Sequence, residues 1–189
     1  RDRAQNPNGD TLGFVVIEEP DTVPPRLISA KLDLNVGMLT LNCSEYIDAT
    51  PASLINLSNL ALRNTTFDSG TNLVGATVTA FDAYKINISL TEEQRASALK
   101  LSGTPGGDGG ALFLRAQPAA FQDIALNPST ESFTVVVEEI GDTSRPSLYN
   151  ATLDLNDGNL VLYASETIDI TPSEHVNLSL FYISNTTGT

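Results

Sequence analysis

Apolar and polar residues alternate with a period of two along most of this chain, the spacing that puts every second side chain of a strand on one face. Arg26 to Leu34 reads as a first strand with Ala30, Leu32 and Leu34 inward. Asn35-Val36-Gly37 then predicts a tight turn, with glycine tolerating positive φ, and Met38 to Ser44 returns with Leu39, Leu41 and Cys43 on the same face. Further strands are expected over Leu54–Arg63, Leu73–Phe81, Tyr84–Leu90, Leu112–Ala116 and Ser132–Glu139. In Ile86-Asn87-Ile88-Ser89-Leu90 the alternation turns Asn87 to solvent, and Val176-Asn177-Leu178-Ser179-Leu180 carries the same pattern.

One segment departs from this period. Thr91-Glu92-Glu93-Gln94 has the form of a capping box, in which the threonine hydroxyl accepts from the third helical N–H and Gln94 reaches back. The helix is expected to run to about Lys100, where a cation suits the negative end of the helix dipole. The glycine-rich stretch 102–110 that follows lacks the form of a phosphate-binding loop and reads as a connection. Seven short strands with regular turns predict an all-β fold, a two-layer antiparallel β-sandwich of immunoglobulin-like type. With no Trp and one Cys, its core must be aliphatic.

The chain also repeats itself. Residues 1–68 return as 122–189 at an offset of 121, with 31 of the 68 pairs identical, which requires duplication rather than shared composition. Residues 21–141 therefore read as one complete repeat. Residues 1–20 read as the tail of a preceding repeat, with Leu12–Glu18 its closing strand, and 142–189 as the first part of a following one. Pieces of this size cannot bury enough apolar surface to fold alone, so both flanks are expected to need partners. The proline-rich seam at 18–25 restricts the linker and favours an extended line of repeats.

Charge narrows the choice of partner. A net charge of -13 with singly scattered Lys and Arg argues against nucleic-acid binding and against attraction to anionic lipid. No apolar run is long enough to cross a bilayer as a helix. Cys43 has no intrachain partner and faces Ala164 in the repeat alignment, and the lone His175 aligns with Leu54. No base and nucleophile present themselves as a pair, so no enzyme is expected. Asp33-Leu34-Asn35 and Asp154-Leu155-Asn156-Asp157-Gly158 read as turns rather than calcium loops. Glu18, Glu19 and Asp21 at one seam, with Glu139 and Asp142 at the next, offer carboxylates suited to calcium between repeats. Ser44-Glu45 and Ser165-Glu166, each with an Asp three residues later, are accounted for by local side-chain to backbone bonding.

The asparagines point outward from the cell. Asn-x-Ser/Thr occurs at Asn42, Asn56, Asn64, Asn87, Asn150, Asn177 and Asn185, and two of these sequons recur in register, Asn56 with Asn177 and Asn64 with Asn185. About three would be expected from this content of Asn, Ser and Thr. N-linked glycans and an extracellular location follow as expectations.

Asp21, Leu32, Asp33, Leu34, Asn35, Gly37, Ser44, Glu45 and Asp48 carry a wider pattern, continued by Leu90-Thr91-Glu92-Glu93 and by Asp123-x-x-x-Asn127-Pro128. The whole chain resembles the immunoglobulin-like repeats of algal mastigoneme-type proteins, a group that includes sexually induced surface glycoproteins. Bacterial surface-layer repeats share part of the pattern. The resemblance implies a secreted glycoprotein that self-associates, alone or with other filament glycoproteins, into hair-like filaments on flagella or the cell surface. It brings no catalytic residues. A surface adhesion module and a spacer within a larger secreted protein are the alternative readings.

Overall fold

The alternating segments find their pairing partners mainly within residues 27–140. A computed structural model describes residues 3–7, 9, 13, 15–64 and 70–184, the Thr134 side chain excepted. The chain is all-β with a few short helices. Strands β1 (Leu27–Asp33) and β2 (Met38–Ile47) form the predicted hairpin, and Gly37 takes the left-handed conformation at its turn, with φ of 64°. They are followed by β3 (Leu60–Arg63), β4 (Thr71–Asn72), β5 (Thr77–Val78), β6 (Ala83–Ser89), β7 (Phe113–Ala116) and β8 (Ser132–Ile140). Together these make one curled eight-stranded sheet in the order β4-β3-β7-β8-β1-β2-β6-β5.

Strand β8 is what joins the two halves of that sheet. Its first part lies antiparallel to β7, with Leu114 opposite Val135. Its second part lies parallel to β1, with Ala30 opposite Val137 and Leu32 opposite Glu139. That parallel pair departs from the wholly antiparallel expectation; a parallel neighbour must arrive through a long crossover, and here nearly the whole domain separates the two strands. The inward residues enclose a continuous, mostly aliphatic core, to which Phe121 adds an aromatic ring. Ala30, Leu32 and Leu34 pack with Leu39, Leu41, Leu60, Leu62, Ile86, Ile88, Leu112, Leu114 and Val137, all buried. Cys43 is part of this core as a free thiol, and burial pushes its pKa up to about 12, which leaves it protonated and unreactive.

Helix α1 (Glu92–Lys100) forms as expected, with both halves of the Thr91–Gln94 capping box present. Gln94 also donates through Nε2 to the carbonyls of Asn72 and Val74, fixing the helix against the β4 region.

Several expected strands are shorter than their patterns suggested. Leu54–Arg63 opens as two 3-10 turns, Ala52–Leu54 and Leu57–Asn59, before β3 begins. The Asn56 side chain accepts from the Ser58 amide and so caps the second turn, a local bond that outcompetes strand geometry. Val176–Leu180 behaves likewise: Asn177 accepts from the Ser179 amide and Leu178–Leu180 is a 3-10 turn. Leu73–Phe81 supplies only β5. Leu12–Glu18 lies partly outside the described residues. Its described part, 13 and 15–18, is not a strand, and Val15, Val16 and Ile17 are exposed. The residues that align with it lie in β8 and are held there by β1 and β7.

The second copy of the hairpin repeats the first without its core. Strands β9 (Leu148–Asp154) and β10 (Asn159–Ala164) pair in the same register and carry an irregularity at the same place. Yet Leu32, Leu39 and Leu41 are fully buried, whereas Leu153, Leu160 and Leu162 are 40%, 42% and 37% exposed. Identical residues at identical positions differ in burial: among the described residues no further strand joins β9 and β10 to cover them.

This contrast has a measurable consequence. Leu41→Ala should destabilise the protein by about 2–5 kcal/mol, the usual cost of a cavity at a fully buried leucine. The aligned Leu162→Ala should cost less than about 1 kcal/mol, since little packing is lost there. Urea denaturation of the two variants against the parent chain measures both.

Candidate inter-repeat interface

Among the described residues, the most densely bonded side chain lies where the first sequence repeat meets the second. Arg95, on the second turn of α1, is only 8% exposed. A buried guanidinium must satisfy five N–H groups, and all five are met. Nε and Nη2 donate to the two carboxylate oxygens of Glu92, at 2.7 and 2.8 Å, one helical turn earlier. Nη1 donates to the Leu34 carbonyl at 2.9 Å and to Asp142 Oδ2 at 2.6 Å. The remaining Nη2 proton goes to Glu166 Oε2 at 3.1 Å. Four of the five bonds go to three carboxylates, and two of those, Asp142 and Glu166, lie in the second copy of the repeat.

The surrounding contacts extend this clamp. The Thr167 amide donates to Glu92 Oε1, so Glu92 is shared between Arg95 and the second copy. Asn35, at the tip of the β1–β2 turn, donates to the Gly141 carbonyl and accepts from the Thr143 amide and hydroxyl. Side-chain exposures of 11% for Asp142 and 14% for Glu166 place the acidic pair out of bulk water, where its attraction to Arg95 is weakly screened.

Proton affinities respond accordingly. The hydrogen bond from Arg95 holds the Glu92 carboxyl down at about 2, against the opposing effect of burial. Burial raises the Asp142 carboxyl, but bonds from the Ser144 amide and Arg95 outweigh it and leave the group below its usual range. Arg95 is held more firmly protonated by Glu92, in spite of its burial.

The carboxylates expected to gather at the seams are dispersed. Asp142 is engaged by Arg95, while Glu139 accepts from the amides of Gly103 and Leu112 and pins the glycine-rich loop. Glu18 and Glu19 are exposed. Asp21 instead meets Glu45 and Asp123, with ligand atoms within 4.8 Å of one another. Local side-chain to backbone bonding accounts for Asp48 and Asp169, which accept from the Thr50 and Thr171 amides, but not for the Ser-Glu pairs. Ser44 Oγ accepts from the Arg26 amide across the β1–β2 pair, and Glu166 binds Arg95. Asp33 does form the expected turn, accepting from the Asn35 amide. His175 is exposed and bonded to Asp169, in line with a surface substitution.

The sequons fall into two groups by the state of the amide nitrogen that a glycan would occupy. Asn56, Asn87, Asn150 and Asn177 are exposed and use only Oδ1, accepting from Ser58, Thr40, Ala151 and Ser179. Asn42 is half-buried in β2 and its Nδ2 donates to Ser29 Oγ; the Nδ2 of half-buried Asn64 donates to Asp108. Asn185 lies outside the described residues. Among the described residues no helix is long and apolar enough to cross a membrane.

Comparison with protein-family models, with curated proteins and with solved structures finds no match.

Sequence reasoning missed Arg95. The signal available was the recurrence of Asp21 and Glu45 as Asp142 and Glu166, an acidic pair preserved where Val23, two residues on from Asp21, and Tyr46, next to Glu45, are replaced by Ser144 and Thr167.

Arg95→Gln leaves Asp142 and Glu166 facing each other without a cation, a loss of the kind that costs about 3–5 kcal/mol when the pair is buried. Amide hydrogen exchange should therefore quicken by about tenfold or more at Thr167 while β1, β2 and β6 keep their protection. A carboxyl depressed by folding stabilises fully above its unfolded value and loses that contribution as pH falls towards its folded value. The difference in Tm between the parent chain and Glu92→Gln should thus be complete above pH 4.5 and close towards pH 2. Thermal unfolding across that range measures it.

Proposed function

We propose that this chain is part of a non-catalytic structural glycoprotein, built from tandem immunoglobulin-like sandwiches that form the shaft of an extracellular filament or surface coat. The observation that carries the reading is the Arg95 clamp, which ties α1 of one sequence repeat to the opening residues of the next. A spacer of loosely strung modules has no need to desolvate an arginine at each junction; a shaft that must resist bending does. Desolvated, multiply bonded ion pairs fix one orientation, since few other geometries satisfy the same donors.

Other features support the same reading. The sandwich arrangement is favoured by β8, which pairs with β7 along one half and β1 along the other and so belongs to both layers. Complete repeats would be 21–141, preceded by the end of one unit and followed by the start of another. Glycans at Asn56, Asn87, Asn150 and Asn177 would stand on exposed positions and, with the acidic surface, keep strand edges from pairing indiscriminately. Partners are then other copies of the same protein or companion filament glycoproteins, outside the cell, with no part for nucleic acid or for membrane insertion of this segment.

Electron microscopy of the native protein from its source tests this. Regular filaments are expected, with a repeat spacing set by one 121-residue unit and added density beside Asn56 and Asn177. Isolated flexible beads without lateral order would overturn the filament reading and leave adhesion or spacing as the role.

A further inference from the structure

Asp21, Glu45 and Asp123 gather negative charge near the end of β2, whereas Arg95 packs beside Gly37 at its start. Their ligand atoms lie within 4.8 Å of one another, and Asp123 is 2% exposed. Among the described residues no ion pair involves any of the three. Burial raises the proton affinity of Glu45, and the charges of Asp21 and Asp123 raise it further.

The duplication shows what such a pair holds. Asp21 and Glu45 align with Asp142 and Glu166, the two carboxylates that grip Arg95. Their local frames are the same. The Val23 amide donates to Asp21 Oδ1 at 2.9 Å, as the Ser144 amide does to Asp142 Oδ1 at 2.9 Å. The Arg26 amide donates to Ser44 Oγ at 2.9 Å, as the Ser147 amide does to Ser165 Oγ at 3.0 Å. Backbone bonds between positions 26 and 44, and between 147 and 165, repeat as well. One pair therefore presents the geometry that the other uses to bind a guanidinium.

We propose that Asp21 and Glu45 form the docking site for the Arg95 face of helix α1 in another copy of this repeat, so that every junction is closed by the same ion-pair network. The inference rests on reading the chain as tandem repeats. The occupant follows from charge complementarity and from continuity with the Arg95–Asp142–Glu166 contact already in place. Asp123 completes the site from behind. Its two oxygens accept from the amide and Nδ2 of Asn127, and Asn127 Nδ2 also donates to the Asp21 carbonyl, so the closing loop of the repeat holds its opening residues in position. Asp123 also places a third negative charge beside the pair, where an incoming guanidinium would meet it.

The test extends the full chain by one unit, joining a second copy of residues 21–121 ahead of Arg1 to continue the 121-residue period. Exchange of arginine Nη–H groups, the ones that Arg95 donates to Asp142 and Glu166, is then followed by NMR. The parent chain should show one guanidinium protected by about tenfold or more over free arginine, that of Arg95. The extended protein should show two. Asp21→Asn with Glu45→Gln in the second unit should remove the new signal and leave the first, with the backbone spectrum otherwise intact. A single protected arginine in an extended protein whose repeats are both folded overturns the proposal, as does a second signal that survives the double substitution. Calcium titrated into the parent chain gives a separate check. No saturable one-to-one binding is expected, and binding that Asp21→Asn abolishes would assign the cluster to a metal instead. Two protected arginines without filaments would sink the filament reading alone, and filaments without the second protected arginine would sink this one alone.

Discussion

The fold depends on closing a curled sheet over an apolar face, and β8 is the strand that closes it. Until Val135 and Val137 are in place, β7 and β1 have unpaired edges and the two halves of the sheet have nothing to hold them face to face. The hairpin of β9 and β10 displays the alternative within the same chain. Its hydrogen bonds and register are right, but its leucines stand open to solvent. A two-stranded ribbon can satisfy its inner edge and still gain little, because stability comes from burying the face rather than from the ladder alone.

That constraint explains the long-range parallel pair of β8 with β1. The strand that completes the core comes last and lies against the first, so the chain's exit is delivered next to its entrance. Gly141 and Thr143 then leave β8 within reach of Asn35, at the tip of the first hairpin. The junction is thus a by-product of closure, and Arg95 uses the proximity. A guanidinium is suited to this place because it is rigid, always charged and carries enough donors to bridge three carboxylates and a carbonyl at once.

Burying that charge is expensive, and its return is orientation rather than raw stability. Helix α1 supplies the rigidity: its capping box and the bonds of Gln94 to the β4 region hold Arg95 in one direction before the second copy arrives. Glu92 adds a neighbouring carboxylate one turn away, which keeps the guanidinium aligned and itself accepts the Thr167 amide. The guanidinium is therefore held in one orientation by its own helix, and little of its side-chain freedom remains to be lost in the contact.

The local rules were strong enough in the sequence to place the β1–β2 hairpin, α1, β6 and the inward leucines, because period-two patterning, a glycine turn and a capping box all act over a few residues. They overran at 54–59 and 176–180, where Asn56 and Asn177 bond to the backbone two residues on and turn an alternating pattern into a 3-10 turn. They could not reach the parallel pairing of β8 with β1, whose partners lie more than a hundred residues apart and whose choice depends on closing the whole sheet. Nor could they find the bonds of Arg95, which reads in sequence as one more charged residue on a helix surface. The duplication, the aliphatic core and the sequons were determined by the sequence itself, since each is a property of residues and their spacing. Which carboxylates meet which cation was decided only by tertiary structure, because Coulomb attraction and desolvation depend on distances that the fold alone sets.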